Sequence, residues 1–322
     1  MPVRHAIGVD MGGSKLLAGV VDSELSVHHR AGRPLLGLDQ ASLLDVAVDA
    51  VEEVRALAEG EVSAVGFGIP ALIDQSTGRA VIAVNLPLAD IVFGEVMAER
   101  LGMPVFVDND ANLATLAEHR AGAAVGCSEV VMLTVGSGIG GGLILRGQLY
   151  RGADGAAGEL GHTVIDLNGP PCQGNCPNHG CLEAMASGTA LAREAVRIAG
   201  ERPASRLARA AGNGLELVGP LVTELAYDGD EAAIEVLSLI GTRLGVAIAS
   251  FVNTFNPEVV VIGGGVMAAG DLLLEPARAE VAARSLPPGR DDVRIVAAHL
   301  GVEAGMIGAA AFALDGLAQA VR

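Results

Sequence analysis

Lysine is all but missing from this chain: of 21 basic residues in 322, only Lys15 is a lysine and the others are arginines. Positive charge is scarce altogether, and 38 acidic residues set a formal net charge of −17. That balance argues against a nucleic-acid partner, because phosphate backbones are held by clustered Lys and Arg. It leaves room for a nucleotide, whose charge can be met locally by Mg2+, helix N-termini and backbone N–H groups. No run of about 18 or more uncharged apolar residues occurs, so no membrane span is expected. The opening MPVRHAIGVD lacks the apolar stretch of a signal peptide and enters a strand-like pattern at once, from which a cytoplasmic location is expected.

Two familiar nucleotide motifs are also lacking. The Walker pattern G-x-x-x-x-G-K-[ST] does not occur, and no glycine cluster fits the dinucleotide fingerprint well. Cysteine is sparse but clustered: Cys172, Cys176 and Cys181 crowd into CQGNCPNHGC, while Cys127 stands alone in AVGCSEV. Three close cysteines in a chain expected to be cytosolic point to a metal more than to disulfides.

What is present is globular: 51% of residues are hydrophobic and 18% charged, in a chain long enough for two domains with cores. HAIGVD, LLAGVVD and LSVHHRAG read as strands of a meander. SLLDVAVDAVEEVRALAEG has apolar residues at helical spacing, with Ser42 as N-cap and Gly60 closing the helix. VSAVGFGIP and PVFVD read as strands, the second feeding a helix over ANLATLAEHRAG. Residues 129–147 repeat the strand, glycine bend, strand pattern of the opening segment. A long helix over DEAAIEVLSLIGTRLGVAIASFVNTF, strands at PEVVVIGGGV and DVRIVAA, and a small-residue helix over 301–321 complete an α/β chain. That last helix should pack closely, since Gly and Ala let backbones approach. Residues 200–216 read as a polar surface loop.

The chemistry-bearing residues fall at the bends. GVDMGGSK, GSGIGGGL and IGGGV each follow a strand-like run. Glycine at a hairpin tip serves turn geometry by default, but three such clusters in one α/β chain point to phosphate, with the single lysine beside one of them. In VDNDANLATL, Asp108, Asn109 and Asp110 lie where a strand hands over to a helix, the sheet edge at which α/β proteins bind ligands. One of the three should cap the helix; a carboxylate left over could take a proton from an attacking hydroxyl. Cys172, Cys176 and Cys181 need one more ligand for tetrahedral zinc, and His162, His179 and Cys127 are the candidates. Glu159 and Glu183 flank that loop and could grip several hydroxyls.

GVDMGGSK, GFGIPALIDQSTG, VNLPLAD, VDNDAN, GSGIGGGL, GELGH, the cysteine loop with GCLEAMASG, NPEVVVIGGGV and LGVEAGMIGAA together resemble the ROK family (repressors, open reading frames and kinases), on its bacterial glucokinase branch. The likeness runs almost end to end. It implies a two-domain ribonuclease H-like, actin-like ATPase fold with an interdomain cleft and a zinc-binding loop. The smaller α/β domain would hold 1–121 and 303–322, and the larger 122–302 with the zinc loop 162–181.

The implied activity is ATP-dependent phosphorylation of a hexose at its 6-hydroxyl, glucose foremost, with Asp110 as general base. Asn109, Asp110, Glu159, His162 and Glu183 match sugar-binding positions. Asp10, Gly12, Gly13, Ser14 and Lys15 match one phosphate loop, with Asp10 holding Mg2+ through water. Gly136, Ser137, Gly138 and Gly140 match the other, and Gly263, Gly264 and Gly265 the adenosine side. His162 joins Cys172, Cys176 and Cys181 as the implied structural zinc site. Kinases for N-acetylmannosamine, N-acetylglucosamine, fructose or allose, and a polyphosphate glucokinase, are alternatives within the family. Its repressors carry a helix-turn-helix ahead of the first glycine loop, where this chain has seven residues before Gly8. Family members are commonly dimers or tetramers, so a homo-oligomer is expected.

The chain departs from the family pattern in several places. The usual cysteine loop is C-x-C-G-x-x-G-C; here three residues, QGN, separate the first two cysteines and Pro177 stands where Gly is usual. Ser14 and Ser137 replace threonines and keep the hydroxyl. Ala71 stands where Gly is frequent, and its methyl could narrow a sugar pocket.

Overall fold

The computed structural model describes residues 4–74, 79–83, 86–88 and 91–320. Gln75, Ser76, Thr77 and Gly78 of the ALIDQSTG segment, and Val84, Asn85, Ala89 and Asp90 of VNLPLAD, lie outside the described residues. Along the chain run β1 (His5–Met11), β2 (Lys15–Asp22), β3 (Val27–Pro34), α1 (Gln40–Ala56), β4 (Val62–Ile69), β5 (Ala71–Asp74), β6 (Arg79–Ala83), α2 (Phe93–Leu101), β7 (Val105–Asn109) and α3 (Asp110–Ala121). Then follow β8 (Val130–Val135), β9 (Ile139–Leu145), β10 (Gln148–Leu149), α4 (Leu182–Ala186), α5 (Gly188–Glu201), α6 (Arg206–Gly212), α7 (Gly219–Tyr227) and α8 (Glu231–Phe255). The chain closes with β11 (Val259–Gly263), α9 (Asp271–Arg284), α10 (Gly289–Asp292), β12 (Arg294–Ala297) and α11 (Ala304–Ala320).

Two compact units divide these elements: Met1–Gly126 with Gly142–Gly158 and His299–Arg322, and Cys127–Gly141 with Glu159–Ala298. The sequence-based division puts 142–158 in the second domain, whereas here the segment packs within the first unit. A side chain at Gly142 would collide with Thr115 of α3, and Arg151 pairs with Asp108 at the end of β7.

One sheet has the order β3-β2-β1-β4-β7, in which β1, β4 and β7 run parallel. Its register sets Asp10 opposite Gly68 and Ile69 opposite Asn109, so both acidic segments leave the same carboxyl edge. The other sheet has the order β10-β9-β8-β11-β12, with β8, β11 and β12 parallel. β5 and β6 form a separate hairpin.

Local details differ from the sequence expectations in two helices. α1 is capped by Asp39, not Ser42: the Ser42 N–H donates to Asp39 Oδ1 at 2.8 Å, so Ser42 supplies the donor and the carboxylate the acceptor. The same helix stops at Ala56 and not Gly60, because its last turn tightens, with Leu57 N–H donating to Val54 O. Residues 200–216 contain α6, capped by Ser205, whose Oγ accepts from Ala208 N–H at 2.9 Å; Leu207 and Ala210 are buried three residues apart on one face.

α8 and the helical stretch 301–319 are long and apolar enough to cross a membrane by length and composition. Each also packs as a core helix, α8 burying Val236, Leu237, Ile240, Leu244 and Ile248.

α11 lies on the first sheet with almost no space between backbones. A Cβ at Gly8 would collide with the Met306 carbonyl, one at Gly66 with the Ala309 carbonyl, and one at Gly308 with the Leu113 carbonyl of α3. Glycine is required at these positions by close approach and not by backbone conformation. Gly66→Ala forces two backbones apart in a packed interior, a change that typically costs about 1–3 kcal/mol or more. The expected outcome is a loss of unfolding free energy of that order in urea denaturation, whereas Gly212→Ala, with open space at its Cβ, stays close to the parent.

Candidate active site

In the first unit, the three polar residues at the junction of β7 and α3 divide their tasks. Asp108 is buried and fully engaged: its Oδ2 accepts from Arg151 Nε and Nη2, each at 2.6 Å, and its Oδ1 from Asn109 N–H at 2.7 Å and Asn112 Nδ2 at 3.2 Å. Asn109 is the N-cap of α3, with Oδ1 accepting from Ala111 N–H at 2.9 Å and Asn112 N–H at 3.1 Å. Its Nδ2 lies 3.4 Å from Ala71 O. Asp110 is the first residue of α3, where the helix dipole favours a negative charge, and its Oδ1 accepts from Ala111 N–H at 2.9 Å.

Asp10 shares this edge. Its carboxyl packs against Gly305 at the start of α11, where an added Cβ would sit 2.6 Å from Cγ. Burial, and then the charge of Asp110, push the Asp10 carboxyl up to about 7, with Lys15 opposing them. Two neighbouring carboxylates, one of them desolvated, make a site that gains by taking up a cation or a proton. The turn that follows β1 is closed by Gly12 N–H donating to Lys15 O at 2.9 Å, and Leu35 N–H holds Ser14 O at 2.9 Å. Gly13, Ser14 and Lys15 are exposed.

In the second unit, β8 and β11 end together, Thr134 opposite Gly263. Their glycine loops therefore lie side by side. Gly264 has φ +92°, and a Cβ there would collide with the Val135 carbonyl, so this position needs glycine on both counts. Gly265 opens a short 3-10 turn to Ala269. The other loop closes through Gly136 N–H to Gly138 O at 2.9 Å, and Gly140 already belongs to β9. Glu183 reaches this loop, its Oε2 accepting from Ile139 N–H at 2.8 Å.

His162, Cys172, Cys176 and Cys181 converge, with ligand atoms all within 4.8 Å of one another. Zinc–sulfur bonds of about 2.3 Å and zinc–nitrogen bonds of about 2.0 Å imply tetrahedral edges of about 3.8 Å between sulfurs and about 3.5 Å between sulfur and nitrogen. Cys176 and Cys181 Sγ are 3.8 Å apart, and Cys172 Sγ is 3.5 Å from His162 Nδ1. The donor set thus fits zinc in both chemistry and spacing. Burial pushes the Cys172 and Cys181 thiols up, an effect that a bound cation reverses by favouring thiolates.

The other two candidates for fourth ligand lie elsewhere. His179 is exposed and faces Pro171 in a short bridge, and Arg294 Nη2 donates to Cys127 Sγ at 3.0 Å. His162 Nε2, turned away from the sulfurs, lies 3.8 Å from Glu159 Oε2. Burial raises the Glu159 carboxyl above its usual range, with His162 opposing the shift and Glu183 adding to it.

Each unit therefore brings its own share of the expected residues together: Asp10, Asn109 and Asp110 in one, and Glu159, His162, Glu183, the cysteines and two glycine loops in the other. Arg151 went unnoticed in the sequence, where it sits in LYRGADG with nothing to mark its pairing with a residue 43 positions earlier.

Such an arrangement on two α/β units defines an actin-like ATPase fold of the sugar-kinase type. The chain belongs to the ROK family, whose model matches residues 6–316. It is 37% identical to a glucokinase of Halalkalibacterium halodurans over 96% of this chain and 94% of that protein. It is 35% identical to a glucokinase of Thermotoga maritima over 96% of this chain and 97% of that protein. Among solved structures it is similar to a ROK family glucokinase from Streptomyces griseus in complex with glucose and AMPPNP, with 32% identity, a TM-score of 0.86, and 97% and 100% of the two chains covered.

The shifted Asp10 carboxyl has a consequence for stability. Its folded value lies above the ordinary 3.8, so the native state holds this proton more tightly than the unfolded chain does. Stability is thereby lost as pH rises from about 4 to about 7, and the full cost is present above that window. In metal-free buffer, Asp10→Asn should raise the unfolding free energy at pH 8 by about 1 kcal/mol or more and leave it unchanged near pH 4. Urea denaturation at the two pH values checks this; equal effects at both would show that Asp10 is not the buried acid.

Proposed function

We propose that this protein is an ATP-dependent hexose kinase that phosphorylates the 6-hydroxyl of glucose. The observation that carries the reading is Asp110: a carboxylate at a helix N-terminus, on the carboxyl edge of parallel strands and beside a second carboxylate, in a chain whose relatives are named glucokinases. In this reading the sugar O6 attacks the γ-phosphorus, the bond from that phosphorus to the β,γ-bridging oxygen breaks, ADP leaves, and the hydroxyl proton passes to Asp110.

Asn109 contributes Nδ2 to a sugar hydroxyl, since its Oδ1 is committed to the helix cap. Glu159, His162 and Glu183 bind further hydroxyls, Glu183 through Oε1 because Oε2 is held by Ile139 N–H. His162, Cys172, Cys176 and Cys181 would hold a structural zinc. With Nδ1 turned toward the sulfurs, a metal there would leave the ring proton on Nε2, free to donate to a sugar oxygen. Asp10 would hold Mg2+ through water, and the bound ion would supply charge neutralisation on the transferring phosphoryl group. Lys15 and the N–H groups of the loops at 12–15 and 136–140 bind phosphate oxygens, and 263–265 the adenosine side. The cytoplasmic location and homo-oligomeric state implied by the family resemblance belong to the same reading, and size-exclusion chromatography tests the second.

A coupled ADP-release assay over hexoses and N-acetylhexosamines, with ATP and polyphosphate as donors, should give the highest kcat/KM for glucose with ATP. A higher value for an N-acetylhexosamine, or for polyphosphate, would reassign the substrate or the donor. Asp110→Asn should still bind glucose while losing about a thousandfold or more in kcat; turnover near the parent would remove Asp110 from the base role. Cys176→Ser should lose the metal and weaken glucose binding about tenfold or more, as measured by zinc content and calorimetry. Unchanged glucose affinity in a zinc-free variant would separate the metal from the sugar site.

A further inference from the structure

The cysteine loop departs from the family spacing at QGN, and the first of those residues makes a contact of its own. Gln173 Nε2 lies 3.3 Å from Ser137 O and 3.1 Å from Ser187 Oγ. Ser137 belongs to the glycine loop after β8. Thr189 Oγ1 donates to the same carbonyl at 2.9 Å, and Gly188 N–H donates to the neighbouring Gly136 O at 2.8 Å. The loop is thus held by its carbonyls from the side of the cysteine loop and the start of α5.

A trans peptide carries its C=O and N–H on opposite sides. Drawing the Gly136 and Ser137 carbonyls toward α5 and Gln173 turns the N–H groups of Ser137 and Gly138 the other way. Among the described residues, neither of those two N–H groups is paired with a protein acceptor. Two successive N–H groups aimed to one side form a concavity for an anion. Glu183 ties the same pieces from a second point: Oε2 accepts from Ile139 N–H, while Oε1 lies 3.7 Å from Cys172 Sγ.

We propose that Gln173 is a positioning residue for the donor-phosphate loop, carrying the state of the cysteine–histidine cluster to the Ser137–Gly138 peptide. Metal in that cluster then sets nucleotide affinity as well as the sugar side. The proposal rests on reading 136–140 as a phosphate loop of a kinase. Gln173 follows Cys172 directly, so fixing the Cys172 sulfur in a tetrahedral site fixes the origin of the Gln173 side chain. A released sulfur leaves that side chain free to abandon Ser137.

The test is calorimetry of Mg·ADP without sugar, on zinc-loaded and chelator-stripped protein, with Gln173→Ala, Gln173→Glu and the parent. Gln173→Ala should retain its zinc and its glucose affinity but bind Mg·ADP about 5–10-fold more weakly, the loss expected for one hydrogen bond. Gln173→Glu, which sets a carboxylate against a carbonyl oxygen, should be weaker still. In steady state both should raise KM for ATP and leave KM for glucose near the parent. Stripping zinc should weaken Mg·ADP binding to the parent and add little in Gln173→Ala.

Parental Mg·ADP affinity in zinc-loaded Gln173→Ala, or the same loss on stripping in both proteins, would overturn this coupling and leave the kinase reading intact. A parent protein that binds no Mg·ADP would overturn both. Should the stripped protein unfold, the zinc-loaded order of parent, Ala and Glu decides alone, and an order other than the one stated overturns the proposal.

Discussion

The first unit depends on one constraint, the backbone-to-backbone seating of α11 on its sheet. Gly8, Gly66 and Gly308 lack the Cβ atoms that would collide with backbone carbonyls and hold the helix off. Met306 O and Ala309 O rest on β1 and β4, and the Gly308 turn rests on α3. Helix, sheet and α3 are thereby locked at a separation that side chains could not set so closely, because interiors pack at crystal-like density and tolerate no added methyl at such points. The start of α11 then falls on the Asp10 carboxyl through Gly305. Asp10 is desolvated because the helix is seated, and Asp110 is near it because α3 is held by the same helix. Its affinity for a proton is a by-product of packing, and a cation at this edge would relieve what the packing imposes.

Glycine shows how far sequence carries such a site and where it stops. GVDMGGSK reads as one phosphate-binding cluster, yet its members do different things: Gly8 makes room for α11, while Gly12 closes the turn to Lys15. Both look alike in the chain, yet only Gly8 is required by close approach, of a helix about 300 residues away, whereas a Cβ at Gly12 would make an ordinary contact. The triad Asp108, Asn109 and Asp110 was legible as a cap plus something more, but its division was not. Which residue caps is settled by one pair of backbone angles, and which is buried is settled by Arg151, whose position no local pattern reports. The choice of Asp39 over Ser42 at α1 has the same cause. The cysteine cluster was legible in kind, and the choice of His162 over His179 came from family resemblance; the ring nitrogen used, Nδ1, is a matter of geometry alone.

Glu118 was silent in the sequence for a related reason. It is fully buried in α3, a costly place for a carboxylate unless its oxygens are satisfied. They accept from Ala123 N–H at 2.7 Å, Leu300 N–H at 2.7 Å and His299 N–H at 3.1 Å. These backbone groups lie beside the first and the last of the four points at which the chain passes from one unit to the other, near Gly126 and at His299. A single buried acid thus ties those two stretches of chain to α3, the helix that begins with Asp110. The same helix carries the expected base at its N-terminus and the anchor at its C-terminal end.

The cysteine loop solves a different problem. Between Asp166 and Gly180 it is mostly polar and exposed, with too little apolar surface to fold by burial. Its backbone is nevertheless cramped: Gly180, at φ +63°, leaves no room for a Cβ beside the Asp166 carbonyl. A tetrahedral ion held by His162, Cys172, Cys176 and Cys181 would be a remedy, since four short bonds would set the loop's shape without a core. It would also determine what the loop can present. His162 turns Nδ1 toward Cys172 and Nε2 toward Glu159, so a zinc ion on Nδ1 would leave the ring proton on Nε2, while Glu183 and Gln173 reach from either side of Cys172's loop to the glycine loop after β8. In the proposed kinase, metal site and sugar site would therefore be one arrangement, because Gln173 and Glu183 stand one and two positions from the cysteines that would hold the ion.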